Sequence, residues 1–295
     1  MDIKNQKTQG FFYAVSSFII WGFFPIFFKL FDESVSAYEI LAHRIIWSVF
    51  FMSIVLLFIK KLQNIKILLQ NKSTRKALFL SGLLISANWG VYVYAVANYK
   101  ILEASLGYFI NPLMNIIFGF LVFKEKISKI SAIAIFIVIF AIGVQIYAIK
   151  ALPVISLLLP ITFALYGVIR KQIRVAALEG LFIETLLVLP FALGYVFYLS
   201  LISQNHFTNG TNTTIMIISG IATVVPLLAF NAATTRINLS TIGYIQYLSP
   251  TLSMLCGVFL FHEELGFYRG ISFVLIWIAL FLSGFSTMIN TKSKS

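Results

Sequence analysis

Apolar residues run along this chain in long blocks, broken at near-regular intervals by short polar stretches. A helix crossing the hydrocarbon core of a bilayer needs about 20 predominantly apolar residues. Ten blocks meet that length or come close: 10–31, 38–59, 77–98, 102–123, 130–149, 152–169, 177–198, 214–235, 239–261 and 268–289. Polar positions inside the blocks recur three and four residues apart, the spacing of one helical face. The pattern predicts an all-α integral membrane protein with ten transmembrane helices. Only the connections 60–76 and 199–213 exceed ten residues, which leaves no room for a soluble catalytic domain. The first block, Phe11 to Phe31, is too long for a signal-peptide core and lacks a small-residue cleavage site, so it reads as a retained helix.

The blocks repeat. At an offset of 138, Pro112 meets Pro250, Gly119 meets Gly257, Phe123 meets Phe261 and Glu125 meets Glu263. Tyr92 meets Phe230 and Ala95 meets Ala233 at the same offset. Glu39 meets Glu179 at 140, and Trp21-Gly22 meets Tyr166-Gly167 at 145. Matches in this order predict two five-helix repeats, residues 1–149 and 150–295. Five is odd, so the second repeat sits upside down relative to the first. Inverted repeats are common in secondary transporters, with the solute site near the midplane where the halves meet.

Composition and charge fit that picture. The chain is 60% hydrophobic and 11% charged, with a mean hydropathy of +0.95; a soluble domain carries roughly 25% charged residues. The net charge of +12 does not point to nucleic acid, because the basic residues lie in short connections and form no continuous polar face. With the N-terminus in the cytoplasm, 17 of the 22 Lys and Arg residues fall on the cytoplasmic side. Lys29, Lys100, Lys150 and Arg269 fall outside, and Arg44 lies within a block. The asymmetry predicts an inner-membrane location with both termini cytoplasmic. The single cysteine, Cys256, reads as a small buried side chain. No metal centre or cofactor is expected.

Polar residues inside the spans are the candidates for function, since polar stripes belong in the bundle interior. In the fourth span Tyr108, Asn111, Asn115 and Gly119 share one face. Gln246, Ser249, Ser253 and Gly257 repeat that spacing in the ninth. Asn88, Tyr92 and Tyr99 are co-facial in the third. These faces, with Trp21 and Tyr166, predict a solute-binding cavity. The rival reading is interhelical hydrogen bonding and packing of small residues. Gly119 and Gly257 read as packing sites, and Pro112 and Pro250 as helix bends. Arg44 and Glu184 are charges within spans, each costing a few kcal/mol at a helix centre, so each must face protein or water. They occupy equivalent positions at an offset of 140. Arg44 either attracts an anionic part of the solute or anchors helices. Glu184 can gain or lose a proton inside the membrane, which makes protons the expected coupling ion. His43, beside Arg44, completes this charge network or packs as a lone histidine.

Other motifs lead nowhere. His262-Glu263-Glu264 starts like a zinc-protease helix, but the second histidine would fall at Gly266. Ser73 to Lys76 spells S-x-x-K without companion motifs. No phosphate-binding loop is present, which argues against ATP-driven transport. Asn209 and Asn212 begin glycosylation sequons, relevant only in a host that modifies them.

Several stretches resemble the EamA branch of the drug/metabolite transporter superfamily, most closely the RarD-type permeases. They are Trp21 to Lys29 (WGFFPIFFK), Tyr38 to Ser48 (YEILAHRIIWS), Asn88 to Glu125 with LEASLGYFINP, Gly180 to Pro190 (GLFIETLLVLP), and Arg236 to Glu263 with QYLSP. The resemblance spans residues 10–288 and departs at Glu264, where relatives often carry proline. It implies a ten-helix, two-repeat carrier with a central cavity, exporting a metabolite or drug, and a name tied to chloramphenicol. An importer or exchanger on the same fold is the alternative. A membrane-embedded lipid-modifying enzyme would need catalytic groups clustered at one membrane face, whereas the polar residues here run in symmetric stripes.

Overall fold

Short polar side chains start several of the helices by taking up amides that have no partner within the first turn. Ser36 accepts from the Glu39 amide, Asn71 from Thr74 and Ser128 from Ser131. The other ends are closed without glycine: Lys60, Tyr99, Lys124, Lys150, Ser203 and His262 take left-handed backbone angles there. Lys124 and His262 lie 138 residues apart and close the fourth and ninth apolar blocks, so the repeat extends to backbone geometry.

The computed structural model describes residues 3–124, 127–173, 175–208, 210–237, 241–242 and 245–292, with side chains from Gln6 to Leu282. Glu125 and Asn209, singled out above, lie outside the described residues. The helices are α1 (Ile3–Gly22), α2 (Phe24–Phe28), α3 (Ala37–Phe58), α4 (Leu62–Gln70), α5 (Lys72–Ala97), α6 (Ile101–Phe123) and α7 (Lys129–Ile149). Then follow α8 (Val154–Ile173), α9 (Ala177–Leu201), α10 (Gly210–Thr234), α11 (Leu248–Leu255) and α12 (Phe267–Lys292). A π-helical turn, Cys256–Leu260, extends α11.

Each of the ten apolar blocks contains helix among its described residues. Eight are long and apolar enough to cross a membrane, counting α1 and α2 together as Gln6–Phe28. The ninth and tenth are shorter among the described residues, Leu248–Leu260 and Phe267–Leu282. The connection 60–76 is not a plain loop, because α4 lies within it. Its apolar residues Ile65, Leu68 and Leu69, spaced three and four apart, pack onto the ends of α3, α5 and α9.

The principal helix contacts run between the two halves of the chain. They are α7–α12, α6–α8, α3–α10, α3–α9, α5–α8, α1–α10, α5–α9, α1–α11 and α6–α11. Exchanging α1 with α8, α3 with α9, α5 with α10, α6 with α11 and α7 with α12 maps this set onto itself. Glycines sit at corresponding crossings. A Cβ on Gly82 of α5 would lie 2.7 Å from the Glu184 carbonyl oxygen, and one on Gly220 of α10 would lie 2.5 Å from the Trp47 carbonyl carbon. Gly82 and Gly220 are 138 residues apart. Gly257 is less tight: a Cβ there would lie 3.3 Å from the Leu102 side chain and 3.5 Å from that of Ile101.

The packing is less symmetric than the contacts. Near the end where α2, α5 and α9 finish, an apolar cluster closes the centre of the bundle with Phe24, Phe28, Phe31, Tyr92, Val96, Ile101, Leu159 and Met216. The corresponding cluster at the opposite end is built on Ala14, Phe18, Ala233 and Ile242. There Phe230, the counterpart of Tyr92, is only half-buried.

Candidate functional site

Three membrane helices, α5, α6 and α8, contribute side chains to a polar core beside this first apolar cluster. Asn88 of α5 is buried and bridges two others. Its Nδ2 donates to the Leu159 carbonyl at 2.8 Å and to Thr162 Oγ1 at 3.0 Å on α8. Its Oδ1 accepts from the Tyr108 hydroxyl of α6 at 3.2 Å. The Tyr92 and Tyr108 rings lie 5.6 Å apart. The expected third-span and fourth-span residues therefore do converge, at Asn88, Tyr92 and Tyr108. Tyr99 lies apart from them, exposed at the helix end beneath the Lys29 ammonium.

Further along α6, Asn111 is buried with an unpartnered Oδ1, whereas Asn115 is exposed. Asn115 faces Gly167 of α8. Its counterpart Ser253 is buried and donates to the carbonyl of Gly22, the counterpart of Gly167, at 3.0 Å. The two positions correspond at the repeat offset but differ: Ser253 is buried and hydrogen-bonded to its neighbour, whereas Asn115 is exposed. Gln246 and Ser249 are half-buried where α11 begins, joined by a turn from the Ser249 amide to the Gln246 carbonyl at 3.2 Å. Trp21 packs on Phe18 and Phe230.

Arg44, His43 and Glu184 occupy three separate environments and do not form a single network. The Arg44 Nε donates to Thr223 Oγ1 at 2.9 Å, and its guanidinium lies over the Trp89 ring at 4.3 Å. His43 stacks on Phe207 at 4.8 Å, and its two ring nitrogens have no hydrogen-bond partner. Glu184 is fully enclosed. It accepts from Ser81 Oγ at 2.6 Å and from the Tyr166 hydroxyl at 3.3 Å, and Arg170 Nη1 approaches it at 3.5 Å. Arg170 also donates to the carbonyls of Val175 and Ala176.

Sequence reasoning placed Arg170 in a cytoplasmic connection, since it falls one residue beyond the sixth block. The signal for its return into the core is Gly180, where any Cβ would overlap the guanidinium. Ser81, Thr162 and Thr223 were missed as well, being small hydroxyls that look unremarkable in apolar runs.

The conserved geometry of the repeat extends to two further carboxylates. Glu39, at the start of α3, holds the connection after α9 through the His206 amide at 2.7 Å and His206 Nδ1 at 2.8 Å. Glu179, at the start of α9, pairs with Lys61 in the connection after α3 at 2.9 Å. Glu263 accepts from the Ile101 and Leu102 amides at 2.6 and 2.9 Å and so caps α6, the physical use of that HEE stretch. Asn212, a sequon residue, is buried and bonded to Asp32. Among the described residues no group of three His, Cys, Asp or Glu side chains could hold a metal ion.

A polytopic helical bundle with a polar centre is an architecture that membrane transporters use. Comparison with known proteins makes the class specific. The model of the EamA-like transporter family matches the chain twice, at residues 8–147 and 152–285. Protein RarD of Escherichia coli strain K12 is 41% identical over 282 residues, 95% of each chain. An uncharacterized transporter of Bacillus subtilis strain 168, YojE, is 38% identical over 285 residues, again 95% of each. A solved crystal structure covering 94% of this chain and 97% of its own shares the fold, with a TM-score of 0.60 at 15% identity. The chain belongs to the EamA-like transporter family of the drug/metabolite transporter superfamily, among its RarD-type members.

Proposed function

We propose that the chain is a secondary transporter exporting a small amphipathic or amino-acid-like organic solute across the inner membrane by alternating access. In this reading ten helices span the membrane, both termini lie in the cytoplasm, and residues 1–149 and 150–295 are inverted repeats. The twofold match of the family model and the exchange symmetry of the helix contacts support it. The observation that carries it is the pair of related contacts in unequal states. Asn115 beside Gly167 is exposed, while Ser253 is buried and bonded to Gly22. A carrier with inverted repeats reaches its other state by exchanging the packing of the two halves, so that the closed contact opens and the open one closes. With the charge asymmetry setting orientation, the open side is cytoplasmic. The solute then contacts Trp21, Asn88, Tyr92, Tyr108, Asn111 and Asn115 on one side, and Tyr166, Gln246 and Ser249 on the other.

The test is transport in proteoliposomes against a panel of amino acids, nucleosides and chloramphenicol, with Asn115→Leu and Gln246→Leu beside the wild type. Each variant should reach the membrane at wild-type levels and lose transport at least about tenfold, the effect of about 1.4 kcal/mol in binding. Full activity in both variants removes this site assignment.

A further inference from the structure

Among the described residues, one buried charge of this bundle has no counter-charge. Glu184 is neutralised by Arg170 and hydrogen-bonded by Ser81 and Tyr166. Glu39 is held by His206, Glu179 by Lys61, and Glu263 by two backbone amides. Arg44 has no such counterpart. It is 4% exposed, and among the described residues no carboxylate lies within ion-pair distance of it. Arginine presents five N–H donors in a planar fork. Here Nε is used on Thr223, and neither terminal nitrogen donates to a protein oxygen among the described residues.

The surroundings attract the cation without neutralising it. The rings of Trp89, Phe24 and Phe28 lie 4.3, 5.4 and 5.6 Å from the guanidinium carbon. Aromatic faces return only a fraction of the solvation that a buried guanidinium forfeits. The buried Tyr92 ring and the half-buried Tyr108 ring stand close by, within electrostatic reach of Arg44, and carry no charge that could neutralise it. A fork of free N–H donors walled by rings fits two carboxylate oxygens and an apolar remainder.

We propose that Arg44 is the anion-recognising group of the solute site, and that the solute is an organic monocarboxylate. This rests on the transport reading and deepens it. The carboxylate supplies the counter-charge that the protein omits, and planar bidentate recognition explains why an arginine stands here and not a lysine. Neutral isosteres of the solute leave the guanidinium uncompensated and are rejected.

The experiment uses purified full-length protein in detergent, titrated by tryptophan fluorescence and thermal unfolding. The probes are three acid–amide pairs: benzoate and benzamide, hexanoate and hexanamide, and N-acetylphenylalanine and its amide. Sodium chloride at matched ionic strength is the fourth arm. At least one acid should bind tenfold or more tighter than its amide. That preference should fall below threefold in Arg44→Gln and survive in Arg75→Gln, at an exposed arginine of α5 outside the site. No preference in any pair, or an undiminished preference in Arg44→Gln, overturns the proposal. A saturable chloride response equal to that of the acids also overturns it, by assigning the site to an inorganic anion. If Arg44→Gln fails to fold, the wild-type preference decides alone, its presence supporting the site and its absence overturning it. Counterflow in proteoliposomes separates this inference from the transport reading. Arg44-dependent acid binding without flux of any solute overturns transport and leaves the site. Equal flux of neutral solutes in wild type and Arg44→Gln overturns the site and leaves transport.

Discussion

Glu184 connects three helices through three different donors: Ser81 on α5, Tyr166 and Arg170 on α8, with the carboxylate itself on α9. Adding a proton to this group would remove the charge that holds Arg170 and leave the guanidinium tethered by backbone carbonyls alone. Protonation would therefore loosen the approach of α8 to α9 next to the open side of the bundle, which is what proton-linked transport requires. Glu184→Gln keeps the shape and most hydrogen bonds but cannot titrate. In proteoliposomes an imposed pH gradient should accelerate wild-type transport and leave the variant's rate unchanged. A wild type indifferent to the gradient, or a variant that follows it equally, removes Glu184 as the coupling group. Arg44 and Glu184 were visible in the sequence because a charge inside an apolar run is costly and must be explained. Arg170 was not, because at the end of a run it counts as one more basic residue facing the cytoplasm. Only the approach of Gly180 in three dimensions turns it inward.

Helix crossings depend on what is missing as much as on what is present. At Gly82 and Gly220 the backbone of a neighbouring helix occupies the space a Cβ would need. Gly82→Ala and Gly220→Ala should each destabilise the protein by about 1–3 kcal/mol, the range for forcing volume into a packed site. Gly143 and Gly194 have nothing within 4 Å of an added Cβ. Alanine at these two should be neutral or slightly stabilising, because a glycine within a helix costs about 1 kcal/mol relative to alanine. Thermal unfolding of the four variants in one detergent checks the contrast, and equal melting temperatures would contradict it. Hydropathy located the eight helices long and apolar enough to cross a membrane and the two shorter apolar ones, since burial in lipid writes itself into long apolar runs. It overlooked α4, a nine-residue helix too short for a spanning window. It also gave no sign of the turn at Gln246-Tyr247 or the π-helical turn at Cys256–Leu260. Those breaks change backbone hydrogen bonding without changing apolar content.

At the scale of the whole molecule, charge counting places the 199–213 connection outside and the C-terminus inside. Reporter fusions after residue 205 and at the C-terminus should therefore read opposite sides of the membrane. The same side for both would contradict the ten-span arrangement. Glu39 and Glu179 give that arrangement an internal logic. Each lies at the start of the second helix of its repeat and grips a connection belonging to the other repeat. The pairing was hidden in the sequence because His206 and Lys61 are ordinary polar residues of loops.

The dominance of contacts between halves has a consequence for how the protein is made. A chain emerging at roughly 5–20 residues per second delivers its first half to the membrane many seconds before the second is complete. During that interval α3 waits for α9 and α10, α6 for α8, and α7 for α12. Glu39 and Lys61 are equally without their partners. Until its complement arrives, the first half can form only its own lesser contacts, chiefly α3 with α5. Viewed this way, the chain is a heterodimer whose subunits are born in order from a single message, and the connection near residue 150 ensures that they meet.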